Sequence, residues 1–337
     1  MTSNTITVGT RDSLLAIVQA ELVVSALRTH FPTDSFAIDG TTTTGDRDLK
    51  TALYNFGGKG IWTTELEERL LAGEVDIVVH SLKDMPTRLP ENCVLGAVTI
   101  REDPRDVLVI KEALVEKHGY KSIGELPEGS VIGTSSVRRI AQLARKYPHL
   151  KFKDIRGNIP TRLKKLKDDL EMSAIVIAAA GLLRMGWEGR ISQYLDVDNG
   201  GILYAVGQGA IGVECRARDE RVLQALQKIE HTDTLLECLT ERSLLLELNG
   251  GCSAPIGVES KWADGELKLT ATVVSVDGKE CVDVELQEPI DTRGKAEDMG
   301  RRAARELVAK GADKILDVIN KARLGGNSVA STTQYSM

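Results

Sequence analysis

The chain is 337 residues long, 42% of its residues are hydrophobic and 27% are charged, and its formal net charge at pH 7 is -6. These values are ordinary for a globular protein and exclude collagen-like, disordered and membrane-embedded classes. The net negative charge argues against a general nucleic-acid or acidic-membrane binder, because such partners select basic surfaces. One hydrophobic core rarely serves a chain of this length, so we expect two or three domains.

The N-terminal segment and the cysteines indicate the compartment. Residues 1–8 have neither the basic flank nor the apolar core of a signal peptide, and no apolar run is long enough to span a membrane, so we expect a cytoplasmic protein. The five cysteines are odd in number and widely spaced, which fits neither a disulfide framework nor paired zinc ligands.

Short β-branched runs alternate with helical patterns through the first two thirds of the chain, which predicts βα units that build parallel sheets. The predicted strands are 6–8, 75–79, 107–110, 131–133 and 174–178. A helix is predicted at 64–71, with Thr64 and Glu67 as a capping box and Leu66, Leu70 and Leu71 as its buried stripe. Another helix is predicted to begin near Pro160.

Two irregular segments predict crossings between domains. Residues 101–106 are charged and interrupted by Pro104, and a second break lies at 196–201. The apolar run 211–215 then predicts a buried strand that returns the chain to the first domain.

The last third of the chain has a different pattern. Residues 267–286 alternate apolar and polar side chains around Asp277-Gly278, a pair that favours a type I′ hairpin turn, so we expect an antiparallel sheet. A helical stretch follows at 295–322, with Gly311 as a break, and the polar tail is expected to be disordered. The predicted domains are 1–102 with 206–228, 103–205 and 229–324, followed by the tail 325–337.

Arginines recur where predicted strands end and helices begin. Residues 138–167 contain many basic side chains and only one acid, Asp154. A strand end next to a helix start supplies free N–H groups, and guanidinium groups there form a site for a carboxylate or phosphate. The arginines and hydroxyl groups of this pattern are Arg11 with Ser13, Ser136 with Arg138 and Arg139, Arg156 with Arg162, and Arg184. A single such arginine is more often a solvated surface residue, but four copies at strand ends favour a binding site.

Asp84 and Cys252 are the candidate reactive groups. Asp84 follows the strand 75–79 in the segment HSLKDMP, where one carboxylate among arginines can stabilise a cation formed during a reaction. Its structural alternative is a turn residue before Pro86. Cys252 lies between glycine and small residues in LNGGCSAPI, which favours an exposed thiol that carries a bulky adduct, whereas its alternative is a buried packing residue.

Taken in order, these segments resemble the hydroxymethylbilane synthase (porphobilinogen deaminase) family over nearly the whole chain. The segments that carry the resemblance are GTRDS, TTTTGDR, GGKGIWTTELE, HSLKDMP, REDPRD, GTSSVRR, RGNIPTR, AAAGLLRMG, AVGQGAIG and LNGGCSAPIG. The resemblance implies an α/β fold with two doubly wound domains that resemble type II periplasmic binding proteins, and a small α+β C-terminal domain. It also implies a monomer.

The resemblance implies a specific chemistry. A dipyrromethane cofactor is joined by a thioether to Cys252, and no nicotinamide, nucleotide or metal is needed. Porphobilinogen loses ammonia to give an azafulvene, which the free α-carbon of the growing chain attacks. Four rounds precede hydrolytic release of hydroxymethylbilane, and Asp84 matches the catalytic aspartate of the family.

The resemblance also implies the residues that hold the acetate and propionate groups of the cofactor, the substrate and the chain. These residues are Arg11, Ser13, Lys59, Ser81, Lys83, Ser136, Arg138, Arg139, Arg156, Arg162 and Arg184, while Gln208 and Gly209 match a segment that lines the cleft. Two positions depart from the common pattern: Leu14 replaces a proline, and Trp62 stands where many members carry phenylalanine.

Two other classes of function are compatible with parts of this pattern. A periplasmic-type binding protein for an anionic small molecule shares the sheets and the arginines, but it needs neither Asp84 nor an exposed Cys252. A cysteine hydrolase needs a histidine in a nucleophile motif, and none of the five histidines lies in one.

Overall fold

A computed structural model describes residues 5–47, 60–249 and 254–324 of the chain. Within these ranges the strands are β1 Thr5–Arg11, β2 Ser35–Thr41, β3 Ile77–Ser81, β4 Cys93–Val98, β5 Asp106–Ile110, β6 Val131–Gly133, β7 Lys151–Lys153, β8 Met172–Ala178, β9 Gln193–Leu195, β10 Ile211–Arg216, β11 Ile256–Ala263, β12 Glu266–Val274 and β13 Cys281–Glu288. The helices are α1 Leu14–His30, α2 Thr44–Arg47, α3 Thr64–Leu71, α4 Glu112–His118, α5 Val137–Lys146, α6 Ile159–Asp168, α7 Ala179–Arg184, α8 Glu220–Gln227, α9 Thr232–Glu247, α10 Arg293–Ala309 and α11 Ala312–Leu324. In this described part, no helix has both the length and the apolar composition that a bilayer crossing requires.

The first sheet has the strand order β2-β1-β3-β10-β4. Strand β1 is parallel to β2 and β3, whereas β10 is antiparallel to both β3 and β4. Helix α1 buries Ala20, Val23, Val24 and Leu27 in the core of this sheet, because their spacing places them on one face of the helix. Full burial of a leucine such as Leu27 stabilises the fold by about 1.5–3 kcal/mol.

The second sheet repeats this arrangement with the order β7-β6-β8-β5-β9. Strand β6 is parallel to β7 and β8, and β5 is antiparallel to β8 and β9. The prediction of parallel sheets is therefore wrong in one respect, since each sheet contains an antiparallel strand in the fourth position. That strand, β10 or β5, is the first one formed after the chain crosses from the other sheet at 196–210 or 99–105.

The third sheet is antiparallel, with the order β11-β12-β13, and its core is shared with α9, α10 and α11. The hairpin between β12 and β13 is confirmed, but the type I′ turn is not, because Gly278 has a φ of 74° while Asp277 has no positive φ. A two-residue turn with positive φ at both positions, 53° at Asp264 and 81° at Gly265, instead joins β11 to β12.

The predicted α/β fold with two similar α/β units and a smaller α+β unit is confirmed, although both α/β sheets are mixed instead of parallel. The proposed domain boundaries stay a prediction, and the tail 325–337 lies outside the described residues. Helix α3 has the predicted bounds, but Thr63 is its N-cap and Leu71 is 45% exposed, so the capping box and part of the stripe are wrong. The Thr64 hydroxyl donates to the carbonyl of Gly60 at 2.9 Å instead of capping the helix.

Candidate active site

A cavity of about 670 Å³ is lined by loops and helix starts from the first two sheets and by residues next to the third. Twelve of the fifteen residues predicted for the site line it: Arg11, Ser13, Ser81, Lys83, Asp84, Ser136, Arg138, Arg139, Arg162, Arg184, Gln208 and Gly209. Arg156 is buried but is not part of the lining, although its neighbours Gly157 and Asn158 are. Lys59 and Cys252 lie outside the described residues.

Asp84 reaches the cavity from the end of β3. The strand continues into a 3-10 turn over Leu82–Asp84, in which buried Leu82 anchors the turn and Asp84 is partly exposed. No other residue of the described ranges makes a hydrogen bond or an ion pair with the Asp84 carboxylate, although its charge acts on Lys83 and Arg162. A carboxylate that the described residues leave unpaired is available to a ligand.

Lys83 has an unusual ionisation for a lysine. Burial lowers the pKa of Lys83 to about 8, because desolvation and the nearby Arg138 and Arg139 outweigh the favourable charges of Asp84 and Asp106. Its ammonium group donates a hydrogen bond to Oε1 of Gln208 at 3.3 Å. The Lys83 charge is therefore sensitive to pH near neutrality.

Arg138 and Arg139 lie in the first turn of α5, where Ser136 is the N-cap and accepts a hydrogen bond from the Arg139 amide. Both guanidinium groups are buried and bind the carboxylate of Asp106, with Arg138 Nη1 and Arg139 Nη2 each at 2.7 Å. Asp106 is not among the site residues that the sequence predicts. Its position in the charged crossing, directly before a β-branched run, was the only available signal.

Arg162 and Arg184 each use only one guanidinium nitrogen in a hydrogen bond to the described residues. Arg162 donates through Nε to the carbonyl of Gly157, and Arg184 donates through Nη2 to the carbonyl of Gly209, each at 2.7 Å. Within the described part of the chain their other N–H groups make no hydrogen bond. Burial lowers the pKa of each arginine to about 10, which shows that protein groups compensate these charges only in part.

Arg11 is paired inside the protein. Its guanidinium group forms an ion pair with Asp46, with Nε 3.0 Å from Oδ2, and lies 4.1 Å from the centre of the Trp62 ring. Burial alone would raise the pKa of Asp46, but hydrogen bonds from Arg11 and Thr43 outweigh burial and lower that pKa. Trp62 at the phenylalanine position thus packs against the arginine, and Asp46 is a second acid that is absent from the predicted site residues.

The remaining lining comes from the return crossing and from the third sheet. Gly209 has a φ of 86°, and a Cβ atom there would lie 2.3 Å from the carbonyl oxygen of Glu102, so only glycine fits. Ser81 donates through Oγ to Oε1 of Gln19 at 3.0 Å. Ala254, two residues after Cys252, also lines the cavity.

Comparisons with known proteins match both parts of the chain to one family. Residues 6–224 match the model described as "Porphobilinogen deaminase, dipyromethane cofactor binding domain", and residues 235–309 match "Porphobilinogen deaminase, C-terminal domain". The chain belongs to the porphobilinogen deaminase family. The porphobilinogen deaminase of Neurospora crassa is 49% identical over 328 residues, covering 96% of this chain and 97% of that one. The protein of the same name from Synechococcus elongatus is 48% identical, covering 93% of this chain and 95% of its own length.

Family membership makes the chain a transferase whose substrate is porphobilinogen and whose cofactor is dipyrromethane. Among solved structures, the methionine-binding protein MetQ aligns with a TM-score of 0.40 and 14% identity, covering 71% of this chain and 91% of that chain. A likeness at this level is no argument for a binding function.

The cavity residues fit a cofactor that carries carboxylates. Six basic side chains line it, namely Arg11, Lys83, Arg138, Arg139, Arg162 and Arg184. Arg162 and Arg184 keep donors that the described protein groups leave unused, so an anionic ligand can replace the water that burial removes from them.

Proposed function

We propose that the protein joins four porphobilinogen molecules into hydroxymethylbilane, with Asp84 as the catalytic carboxylate and Cys252 as the attachment point of dipyrromethane. The observation that carries this proposal is the Asp84 carboxylate, which has no hydrogen-bonding partner among the described residues and lies in a cavity lined by six basic side chains. A pure anion-binding site gains nothing from such an acid, because its charge repels the ligand.

Each polar side chain has a role that follows from its state in the structure. Arg162 and Arg184 bind carboxylates of the cofactor and the chain through their unused N–H groups. Lys83, in its ammonium form, binds a substrate carboxylate beside Asp84. Ser13, at the start of α1, and Ser136, at the start of α5, add hydroxyl groups and helix N-termini to the same cavity. We assign Arg156 to this set from the sequence pattern alone.

Asp84 acts on the reacting pyrrole. Its carboxylate accepts the pyrrole N–H and stabilises the positive charge that develops when ammonia leaves the substrate and a carbon–carbon bond forms. The bound cofactor supplies the nucleophilic α-carbon from which the product grows. The cavity walls come from the first two sheets and from residues next to the third, and a charge interaction between protein walls is stronger than in bulk water.

We assign the cofactor thioether to Cys252 because Ala254 and Ile256, which follow it closely, line the same cavity. We also propose that the protein is a cytoplasmic monomer, and that residues 1–102 with 206–228, 103–205 and 229–324 are its domains. The crossings at 99–105 and 196–210 support this division.

An intact-mass spectrum of the purified protein tests the proposal directly. We expect the native chain to carry the added mass of two linked pyrrole units, and Cys252→Ser to lack it. Cys281→Ser, at a partly exposed strand position, is the matched control and should keep the added mass. A native chain without the adduct that leaves porphobilinogen unconsumed would refute the proposed function.

A further inference from the structure

Asp106 is a buried carboxylate that contacts three lining residues of the cavity, Arg138, Arg139 and Gln208, and neither the sequence pattern nor the proposed function gives it a role. It is the first residue of β5, directly after the crossing at 99–105, and only 1% of it is exposed. Its Oδ2 accepts a hydrogen bond from Arg138 Nη1 at 2.7 Å. Its Oδ1 accepts bonds from Arg139 Nε at 3.1 Å, Arg139 Nη2 at 2.7 Å and Gln208 Nε2 at 2.9 Å.

The contacts of Asp106 connect the two sides of the cavity. Gln208 lies in the return crossing, and its Oε1 accepts the hydrogen bond from the Lys83 ammonium group at 3.3 Å. Lys83 precedes Asp84 at the end of the first sheet, whereas Arg139 begins a helix of the second sheet. A continuous line of polar contacts therefore runs from Lys83 through Gln208 and Asp106 to Arg139.

The charge of Asp106 determines what the arginine pair can bind. Two adjacent buried guanidinium groups repel each other, and each has lost most of its water. Burial alone would raise the pKa of Asp106, but Arg138 and Arg139 outweigh it and hold that pKa well below its ordinary value. Asp106 is therefore an anion at every physiological pH, and it leaves the arginine pair one net positive charge for a ligand carboxylate.

We propose that Asp106 is a positioning residue of the porphobilinogen-polymerising site: its carboxylate fixes Arg138 and Arg139 and, through Gln208, holds Lys83 beside Asp84. This inference rests on the proposed function, in which Lys83 and the arginines bind substrate and chain carboxylates. One buried anion thus sets the geometry of binding groups on both sides of the cavity.

The ionisation of Lys83 gives a direct readout of this role. Within the described ranges, the charged groups that act most on Lys83 include Asp84 and Asp106, which favour its ammonium form, and Arg138 and Arg139, which oppose it. When Asp106→Asn removes one negative charge, the pKa of Lys83 must fall below its present value of about 8. We expect a decrease of about one pH unit, which is a tenfold change in the protonation equilibrium.

Competitive acetylation measures this pKa without turnover, because only the neutral Lys83 amine reacts and peptide mass spectrometry quantifies the product at each pH. For Asp106→Asn we expect a lower Lys83 midpoint, a raised KM for porphobilinogen, and an alkaline limb of kcat/KM that begins at lower pH. Asp106→Glu, which keeps the charge, should keep the midpoint near that of the native chain while still raising KM.

Asp219→Asn is the matched control. It removes another Asp–Arg contact, Asp219 Oδ2 to Arg216 Nη2 at 2.8 Å, at the start of α8 and away from the cavity lining, so the Lys83 midpoint should not move. If Asp106→Asn does not fold, Gln208→Met tests the same link, since loss of the Oε1 acceptor must also lower the Lys83 midpoint.

An unchanged Lys83 midpoint in the variant that folds would overturn the proposal, even if thermal stability fell, because a purely structural role lowers the folded fraction without moving the titration. The intact mass and turnover of the native chain test the proposed function separately. Failure of the inference about Asp106 can therefore be distinguished from failure of the proposed function.

Discussion

Acidic residues at or beside the cavity differ in whether an arginine of the protein pairs with them. Asp46 and Asp106 are ion-paired with arginines of the protein, whereas Asp84 has no such partner within the described residues. An internal carboxylate next to an arginine orients the guanidinium group and reduces the attraction of that arginine for an anionic ligand. A carboxylate without such a partner can act on the ligand itself. The number of arginines alone therefore overestimates the positive charge that the site offers.

Asp84→Asn is expected to reduce kcat by at least about 10²-fold, because the amide cannot stabilise the cationic pyrrole. The variant should fold and carry the cofactor mass, since Asp84 makes no hydrogen bond to another described residue. Stopped assays of porphobilinogen consumption together with intact mass provide the measurement. Asp198→Asn, at an exposed turn position, should be fully active. Full turnover by the Asp84 variant would remove this residue from the mechanism.

The sequence was sufficient to predict which residues meet in the cavity, but not how they pair with one another. Strand ends, helix starts and glycines are local signals, and twelve predicted residues do line one cavity. The partners of Arg11 and Arg138 are 35 and 32 residues distant along the chain, so no local pattern reveals them. The Asp84 placement follows from its strand, whereas the pKa of Lys83 depends on burial that only the fold creates.

Individual elements show where local rules succeed. Helix α6 begins as predicted, with Asn158 as N-cap, Pro160 in the first turn, and the cap accepting a hydrogen bond from the Thr161 amide at 3.0 Å.

The two Asp-Gly pairs of the third sheet look alike in sequence, yet only Asp264-Gly265 has the two positive φ angles of a type I′ turn. Gly278 instead lies close to the backbone of α5, because a Cβ there would be 2.5 Å from the Arg145 amide nitrogen. A contact of the β12–β13 turn with helix α5 thus overrides a local turn preference.

Helices α9 and α10 pack closely at Gly300, which makes this glycine a test of element packing. A Cβ atom at Gly300 would lie 2.1 Å from both the carbonyl oxygen of Thr240 and Oγ of Ser243, so Gly300→Ala must separate the helices. We expect the free energy of unfolding to fall by about 1–3 kcal/mol. Denaturant unfolding provides the measurement.

Gly294→Ala is the control on the same helix. A Cβ at Gly294 meets no atom within 4 Å, and alanine favours helix formation, so this variant should be as stable as the native chain or more stable by about 0.5–1 kcal/mol. Equal destabilisation by both substitutions would contradict the packing explanation.

At the scale of the whole molecule, Arg101 joins the two crossings to the third sheet and its helix α9. Its Nη1 and Nη2 bind the buried carboxylate of Glu241 at 2.7 and 3.0 Å, and its Nε donates to the carbonyl of Gln208 at 2.9 Å. Glu241 also accepts from the amide of Gly207. One residue of the first crossing is therefore bonded to the return crossing and to α9. The charged segment predicted the crossing, but its partners come from a helix 140 residues away.

Glu237, also bound to Arg101, is expected to make stability depend on pH. Burial raises the pKa of Glu237 from 4.5 to about 7, and Glu241 adds to this effect. A raised pKa means that the folded state holds the proton more tightly than the unfolded state, so the contribution of Glu237 to stability is present below 4.5 and is lost as the pH rises through about 7. As the pH rises from 4.5 to 7, the Tm of Glu237→Gln should therefore fall less than the Tm of the native chain, which thermal unfolding measures.

Glu220→Gln, at an exposed position of α8, is the control for this experiment and should keep the pH dependence of the native chain. If Glu237→Gln kept that dependence as well, the ionisation of Glu237 would not be its source.

The strand β10 has a consequence for biosynthesis. It lies between β3 and β4, and within the described chain β4 is hydrogen-bonded to its sheet only through β10. A ribosome makes β10 after every strand of the second sheet, which is continuous in sequence from β5 to β9. The first sheet is therefore completed only after the whole second sheet has been made, and during translation the edges of β3 and β4 that pair with β10 stay unpaired until residue 216 has emerged.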